Sequence, residues 1–458
     1  MNRRQFAGGV ALLSIVPQAL AQDQYSVQTI TAARTKTRLL GPESPPTEHW
    51  HFRTVTGQPI VRAKQGEELR LRLVNELDEP LWLHFFGVRA AADMMTVNVL
   101  PGVGSALDVV FTPPDAGTFW FGPLLNASKH REMGLAGMLI VEEADPVNYA
   151  DVPLIFDDWM IGEDGKIDAD FSNLERASGD GRLGNWFTVN ATFKPRILLP
   201  KEQTVRLRLL NVANTRSMNI AFKGVEAMVI ARDGQTILPT PLGIKTLELE
   251  PGQRADVVLT EAQDQVVIAL DLFEDVVEAA FLDATGYGKK TAALLAIPAN
   301  PVPAIDPSVP IRQIAIALEG GQRGGLKSAR VGKDTLDLRA MLEQGLAWSI
   351  GGNAGLGSPP LFEASHGENL FLRFENKTTF AQPLYVHGHV WRVDPPPKNG
   401  FIGPQLPAVW TDTANVPAKS TVQVFLVATN PGTWAIQSLL AERSDAGLIG
   451  AFTVADMP

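Results

Sequence analysis

Between positions 66 and 75 the chain reads GEELRLRLVN, with apolar and polar side chains in strict alternation. Two other stretches repeat the pattern without a gap: EQTVRLRLLN at 202–211 and GENLFLRFEN at 367–376. The apolar positions align as Leu69, Val205 and Leu370, then Leu71, Leu207 and Leu372, then Leu73, Leu209 and Phe374. Each run closes on an asparagine: Asn75, Asn211 or Asn376. A period of two predicts a strand with one buried and one solvated face, and the asparagine begins a turn into a second strand.

The first and third copies also end alike. PPDAGTFWF (113–121) matches TNPGTWAI (429–436), and GLAGMLIVEE (134–143) matches DAGLIGAFTV (445–454). Short alternating strands at regular spacing, set among 40 glycines and 33 prolines, predict an all-β chain of Greek-key sandwich or barrel domains. A length of 458 residues suits three such units. We place them at 22–150, 151–296 and 312–458. The proline-rich stretch IPANPVPAIDPSVPI (297–311) is a stiff linker before the third.

The first residues stand apart. Arg3 and Arg4 precede an apolar run, and Ala19–Ala21 offers a small-x-small cleavage site, so residues 1–21 are expected to be an export signal. The Arg-Arg-x-Phe arrangement points to the twin-arginine route, with an ordinary secretory signal as the alternative. This predicts a periplasmic protein with no transmembrane segment after signal removal. Without Arg3 and Arg4, 38 of the 40 basic residues face 50 acidic ones, a net charge of about −12. That balance disfavours nucleic acid as a partner. Cysteine is absent, which excludes disulfides, iron–sulfur clusters and thiolate metal sites.

Near the third repeat, QPLYVHGHVWRV (382–393) places His387 and His389 at the i, i+2 spacing that brings two imidazoles to one face of a strand. This stretch, with PLWLHFFGVR (80–89), AGTFWFGPLL (116–125), LEPGQRADVVL (249–259) and the NPGTW and DAGLIG segments, resembles the three-domain multicopper oxidases. The resemblance covers nearly the whole chain after residue 21. It implies three cupredoxin-like domains in tandem. In that family a mononuclear copper, held by a cysteine and two histidines with a weak axial ligand, passes electrons to a three-copper cluster between the first and third domains.

Carried over position by position, the resemblance finds most copper ligands replaced. The first motif, His-x-His-Gly, falls on His84 and Phe86. The second falls on Gly122 and Leu124. In the third, Gln382 and Tyr385 replace ligands, His387 matches, and His389 aligns with a histidine that is usually not a ligand. In the fourth, Gln437, Ser438 and Leu439 replace His-Cys-His, Arg443 replaces the last histidine, and Leu448 takes the axial position. Serine cannot replace the soft thiolate. Arg443 sets a permanent positive charge where a cation would bind.

Two readings follow. In the first, His84 and His387 are remnants packed at the interface of the first and third domains, hydrogen-bonded to groups such as Tyr385 or Gln437. The chain is then a copper-free scaffold. It resembles the twin-arginine-exported, copper-free branch associated with bacterial cell division and envelope stress, and as a monomer it would engage an envelope protein. In the second, His84, His387 and His389 or His130 hold a remodelled copper site in an oxidoreductase. A small-molecule pocket at the vacated interface is a further possibility, opened by Gly122 or closed by Phe86 and Leu124. His130 is expected in a solvated loop, Met94 and Met95 as core filler, and Asp157 and Asp158 as a solvated pair. His49 and His51 are expected on an edge strand.

Overall fold

The computed structural model describes residues 27–102, 105–200, 204–272, 275–285, 294–393 and 409–456; the expected export signal at 1–21 lies outside them. The three repeat strands are Leu69–Asn75, Thr204–Asn211 and Asn369–Asn376. Each has the same neighbours. An earlier strand pairs with it in parallel: Gln28–Thr37, Tyr149–Trp159 and Ile311–Gly320 respectively. A later strand pairs with it antiparallel: Ala106–Phe111, Arg254–Asp271 and Thr421–Val427. One topology is therefore used three times.

In the first domain a four-stranded sheet built on Leu69–Asn75 packs against a five-stranded sheet containing Leu81–Phe86 and Gly117–Pro123. Leu71, Leu73, Leu83, Phe85 and Phe121 fill the space between them. The third domain repeats this with six- and five-stranded sheets, and the second is organised around one nine-stranded sheet. The core of the second domain includes Leu207, Leu209, Val257 and Ile268.

The closing asparagines do identical work. Asn75 Nδ2 donates to the Glu79 and Val99 carbonyls, at 2.9 and 3.0 Å, while its Oδ1 accepts the Leu77 N–H. Asn211 bonds the Arg216 and Leu249 carbonyls and the Ala213 N–H, and Asn376 bonds the Phe380 and Val416 carbonyls and the Thr378 N–H. All three are buried. Each side chain ties its own turn to a second strand segment, which fixes how the following strand leaves the sheet. Asn376→Ala is expected to cost roughly 2–4 kcal/mol, because it strands several buried backbone groups at once. A urea titration giving a loss below about 1 kcal/mol would show that water replaces the amide.

The second copy departs from the expected alternation. Arg206 and Arg208 lie on the face predicted to meet solvent, yet both are buried. That face packs on the first domain instead. Arg206 reaches Glu143 at 2.6 Å and Asp256 at 3.0 Å; Arg208 lies 2.8 Å from Asp151 and donates to Thr118 at 3.1 Å. Burying guanidinium groups requires such carboxylates. Further along, the proline-rich stretch is strapped down by Asn300. Its amide donates to the Ala116 and Gly234 carbonyls, each at 2.7 Å, and accepts the Ala116 N–H.

Candidate functional site at the junction of the first and third domains

His84 lies near the end of the strand Leu81–Phe86, opposite Gly122 in the antiparallel register, and Phe86 lies opposite Trp120. Tyr385 sits in the strand Gln382–Val386 opposite Gln437, and His387 follows that strand directly. These strands bring the two imidazoles together with their ring centres 4.1 Å apart. Both side chains are buried.

Three of the four ring nitrogens are engaged by protein groups. His84 Nδ1 lies 2.7 Å from Thr96 Oγ1, and its Nε2 faces the Tyr385 hydroxyl at 3.4 Å. The Gly87 N–H donates to that same hydroxyl at 2.6 Å, so the hydroxyl's own proton is free to point at His84. His387 Nε2 pairs with Gln437 Oε1 at 2.7 Å, which makes that nitrogen the N–H-bearing one. Burial holds both rings neutral: His387 is pushed down to about 4, and His84 falls well below its ordinary value, with His387 as a second cause. Burial also raises the Tyr385 phenol, so it remains an O–H group.

Gly87 makes this arrangement possible. Its φ of 85° turns the chain after Phe86, and a Cβ there would lie 2.6 Å from Arg254 Nη2 and 2.8 Å from the Phe119 ring. Arg254 in turn spans the domains, with Nη1 3.4 Å from Asp233 and Nη2 2.5 Å from Asp412.

The volume around the imidazoles is filled. Phe86 stacks on Trp120 at 3.8 Å with ring planes 7° apart, and His84 meets Phe86 edge-on at 4.6 Å. Leu439 and Tyr385 close the same cluster against Ile155, Leu210 and Val212. Gly122 does not open a space, because a Cβ there would lie 2.5 Å from the Trp120 ring. Leu124 packs separately with Ala435 and Ile449, and Leu448 belongs to the third-domain core. Ser438 is buried and its Oγ accepts the Leu440 N–H at 3.3 Å. Arg443 donates to the Ala381 carbonyl at 2.7 Å and to Gln382 Oε1 at 3.0 Å, with its guanidinium over the Trp348 and Phe380 rings. Burial lowers it to about 10, still charged at neutral pH.

Other expected positions fall elsewhere. His389 is not joined to the pair: it faces Trp434 and Phe452, bonds the His387 carbonyl through Nδ1, and accepts the Asn430 N–H at 3.3 Å. His130 is not a solvated loop residue; it is buried, 3.2 Å from Glu79 and tilted against Trp50. Asp157 and Asp158 are likewise buried, the latter 2.7 Å from Arg216. Met95 is buried as core filler with Met94 packed beside it, and His49 and His51 lie on the edge strand Thr47–Arg53. Sequence reasoning missed Trp120 and Thr96. The sequence signal for Trp120 is its place two residues before Gly122, where the absent Cβ leaves room for the ring.

Among the described residues, no group of three or more His, Asp or Glu is placed to hold a metal ion, and no helix is long and apolar enough to cross a membrane. Multicopper oxidase family profiles match residues 37–146, 138–286 and 333–458. The chain is 25% identical to Multicopper oxidase MmcO of Mycobacterium tuberculosis, across 93% of this chain and 88% of that protein. It is also 25% identical to Cell division protein FtsP of Sodalis glossinidius, across 86% and 83%. The crystal structure of a multi-copper oxidase from Pseudomonas thermotolerans superposes with a TM-score of 0.75 at 27% identity, covering 93% of this chain and 98% of that one. The threefold strand topology and the matches across all three units agree: this chain belongs to the multicopper oxidase family.

Proposed function

We propose that this chain is a copper-free member of its family, acting as a structural or interaction protein of the bacterial cell envelope. The observation that carries this reading is the closed imidazole pair: His84 and His387 bond Thr96, Tyr385 and Gln437, while Phe86, Trp120 and Leu439 fill the volume beside them. The family is normally copper-binding, and the residues present do not fit that metal. Copper needs several converging imidazoles and, for the electron-accepting site, a thiolate. Here the neighbouring groups are a neutral phenol, an amide and hydrocarbon, and the guanidinium of Arg443 holds the position of a ligand. Oxygen reduction by the family mechanism has no donor set in this arrangement.

The likeness to a cell division protein supports an interaction role by analogy. The paired arginines at Arg3 and Arg4 support export to the periplasm, where an envelope protein is the partner and the chain itself is a monomer. The alternative is a copper-dependent oxidoreductase with a mononuclear site on the close imidazole pair. Metal analysis after copper loading and desalting separates the two. The expected result is substoichiometric copper, an unchanged melting curve and no oxygen consumption with a phenolic or cuprous donor. One tightly held copper per chain, lost in His84→Ala and His387→Ala and accompanied by oxidase turnover, would overturn the scaffold reading.

A further inference from the structure

A cavity of about 730 Å³ opens between the first and second domains, away from the imidazole pair. Its first-domain side comes from the paired strands Gln28–Thr37 and Thr47–Arg53 and the loop 57–60. Its second-domain side comes from the end of Tyr149–Trp159 and the loop 190–196. This volume is in the range that accommodates a small organic ligand. Its walls include Trp50, Trp159 and Phe193, from both sides of the domain boundary.

The charges around it are one-sided. Arg38, Lys194 and Arg196 line the cavity, and Asp157 is the sole carboxyl among the lining residues. Asp157 is buried beside Asp158 and Glu132, and burial together with these acids raises its carboxyl well above the usual range, with Arg131 opposing. Its charged form is therefore disfavoured. His49, held by Thr37 Oγ1 and the Trp50 carbonyl, is pushed down to about 4 and is neutral. Lys194 lies 3.6 Å from Glu278 and is partly neutralised. Arg38 donates only to the Pro42 and Ser44 carbonyls and Arg196 lies over the Phe281 ring, so neither is ion-paired among the described residues.

We propose that this inter-domain cavity binds a small aromatic carboxylate, with its ring among Trp50, Trp159 and Phe193 and its anionic end toward Arg38 and Arg196. An apolar aromatic wall selects a flat hydrophobic body. Two guanidinium groups with no carboxylate partner select an anion over a neutral or cationic analogue. The inference is independent of the copper-free reading, because no residue of the imidazole pair touches the cavity.

The test is calorimetric titration of the full chain with 2-naphthoate, and in parallel with 2-naphthalenemethanol and 2-naphthylmethylammonium. The expected result is one saturable site for the carboxylate and binding at least about tenfold weaker for the other two. The pair Arg38→Ala and Arg196→Ala should erase that preference while leaving weak binding of the alcohol. Thr35→Trp, which fills the cavity from the strand Gln28–Thr37, should abolish binding. Should that variant not fold, Gln58→Trp blocks the loop 57–60 instead. No heat from the carboxylate at millimolar concentration, equal binding of the alcohol, or undiminished binding in a folded blocking variant would each overturn the proposal.

Discussion

Replacing Arg254 by alanine is expected to lower the unfolding free energy by roughly 3–5 kcal/mol. Arg254 is buried on the strand Arg254–Asp271 of the second domain. Its guanidinium faces Asp233 at 3.4 Å and Asp412 of the third domain at 2.5 Å, and donates to the Gly252 and Thr118 carbonyls at 3.0 and 3.3 Å. Thr118 belongs to the first domain, so one side chain touches all three. The adjacent carboxylates hold the guanidinium charged despite its burial. Truncation leaves Asp233 and Asp412 facing each other without a cation and removes two carbonyl partners, a cost far above that of losing an exposed pair. Arg70, about half exposed and paired with Glu68 at 2.7 Å, is the control: Arg70→Ala should cost no more than about 1 kcal/mol. Urea titration followed by tryptophan fluorescence reads both. Equal shifts in the two variants would mean that the junction tolerates the loss by admitting water.

The same junction shows which parts of the molecule are legible in the sequence. The repeat strands and their closing asparagines are local features, and alternation plus a turn residue determines them with little help from the rest of the chain. Alternation reports only that one face is polar. It cannot distinguish water from a neighbouring domain, which is why Arg206 and Arg208 read as solvated although they are buried. His130 and Asp157 misled for a related reason: polar residues in loops and at strand ends are usually wet, yet His130 packs inside the first domain against Glu79 and Trp50 and Asp157 lies where two domains meet.

For the candidate site, motif spacing located His84, Tyr385, His387 and Gln437, and strand register brings these four together. What fills the neighbouring volume was less visible. The Phe86–Trp120 stack depends on the pairing of two strands separated by more than thirty residues, and on a glycine at 122 that lets the indole lie flat. Side-chain volume can be summed from sequence, but its placement requires the register.

Acid should expose the remaining histidines energetically. His387 and His389 are both pushed down from 6.5 to about 4 by burial, and His84 is lowered further by the neighbouring His387. A buried imidazole of this kind must stay neutral to remain folded, whereas the unfolded chain protonates near 6.5. Its contribution is therefore full above about 6.5 and is lost as pH falls through about 4, roughly 3 kcal/mol per ring over that window. Buried acids act in the opposite sense. Burial raises Glu250 to about 7 and Asp445 to about 6, so their contribution is full below the ordinary carboxylate range and is lost as pH rises through 6 to 7. The net pH profile of the wild type mixes the two, so the difference between variants is the informative quantity. His387→Gln replaces the ring with an uncharged amide that can still meet Gln437. Relative to wild type it should be destabilised at pH 7, and that difference should shrink or reverse by pH 4, moving by roughly 3 kcal/mol. A pH-independent difference would mean that His387 binds a proton as readily in the folded as in the unfolded chain, and would remove the closed imidazole pair as the basis for reading this site as structural. Copper would deepen the same pattern. A bound cation competes with protons for the same nitrogens, so a loaded site would stabilise most at neutral pH and lose that gain on acidification, together with its metal.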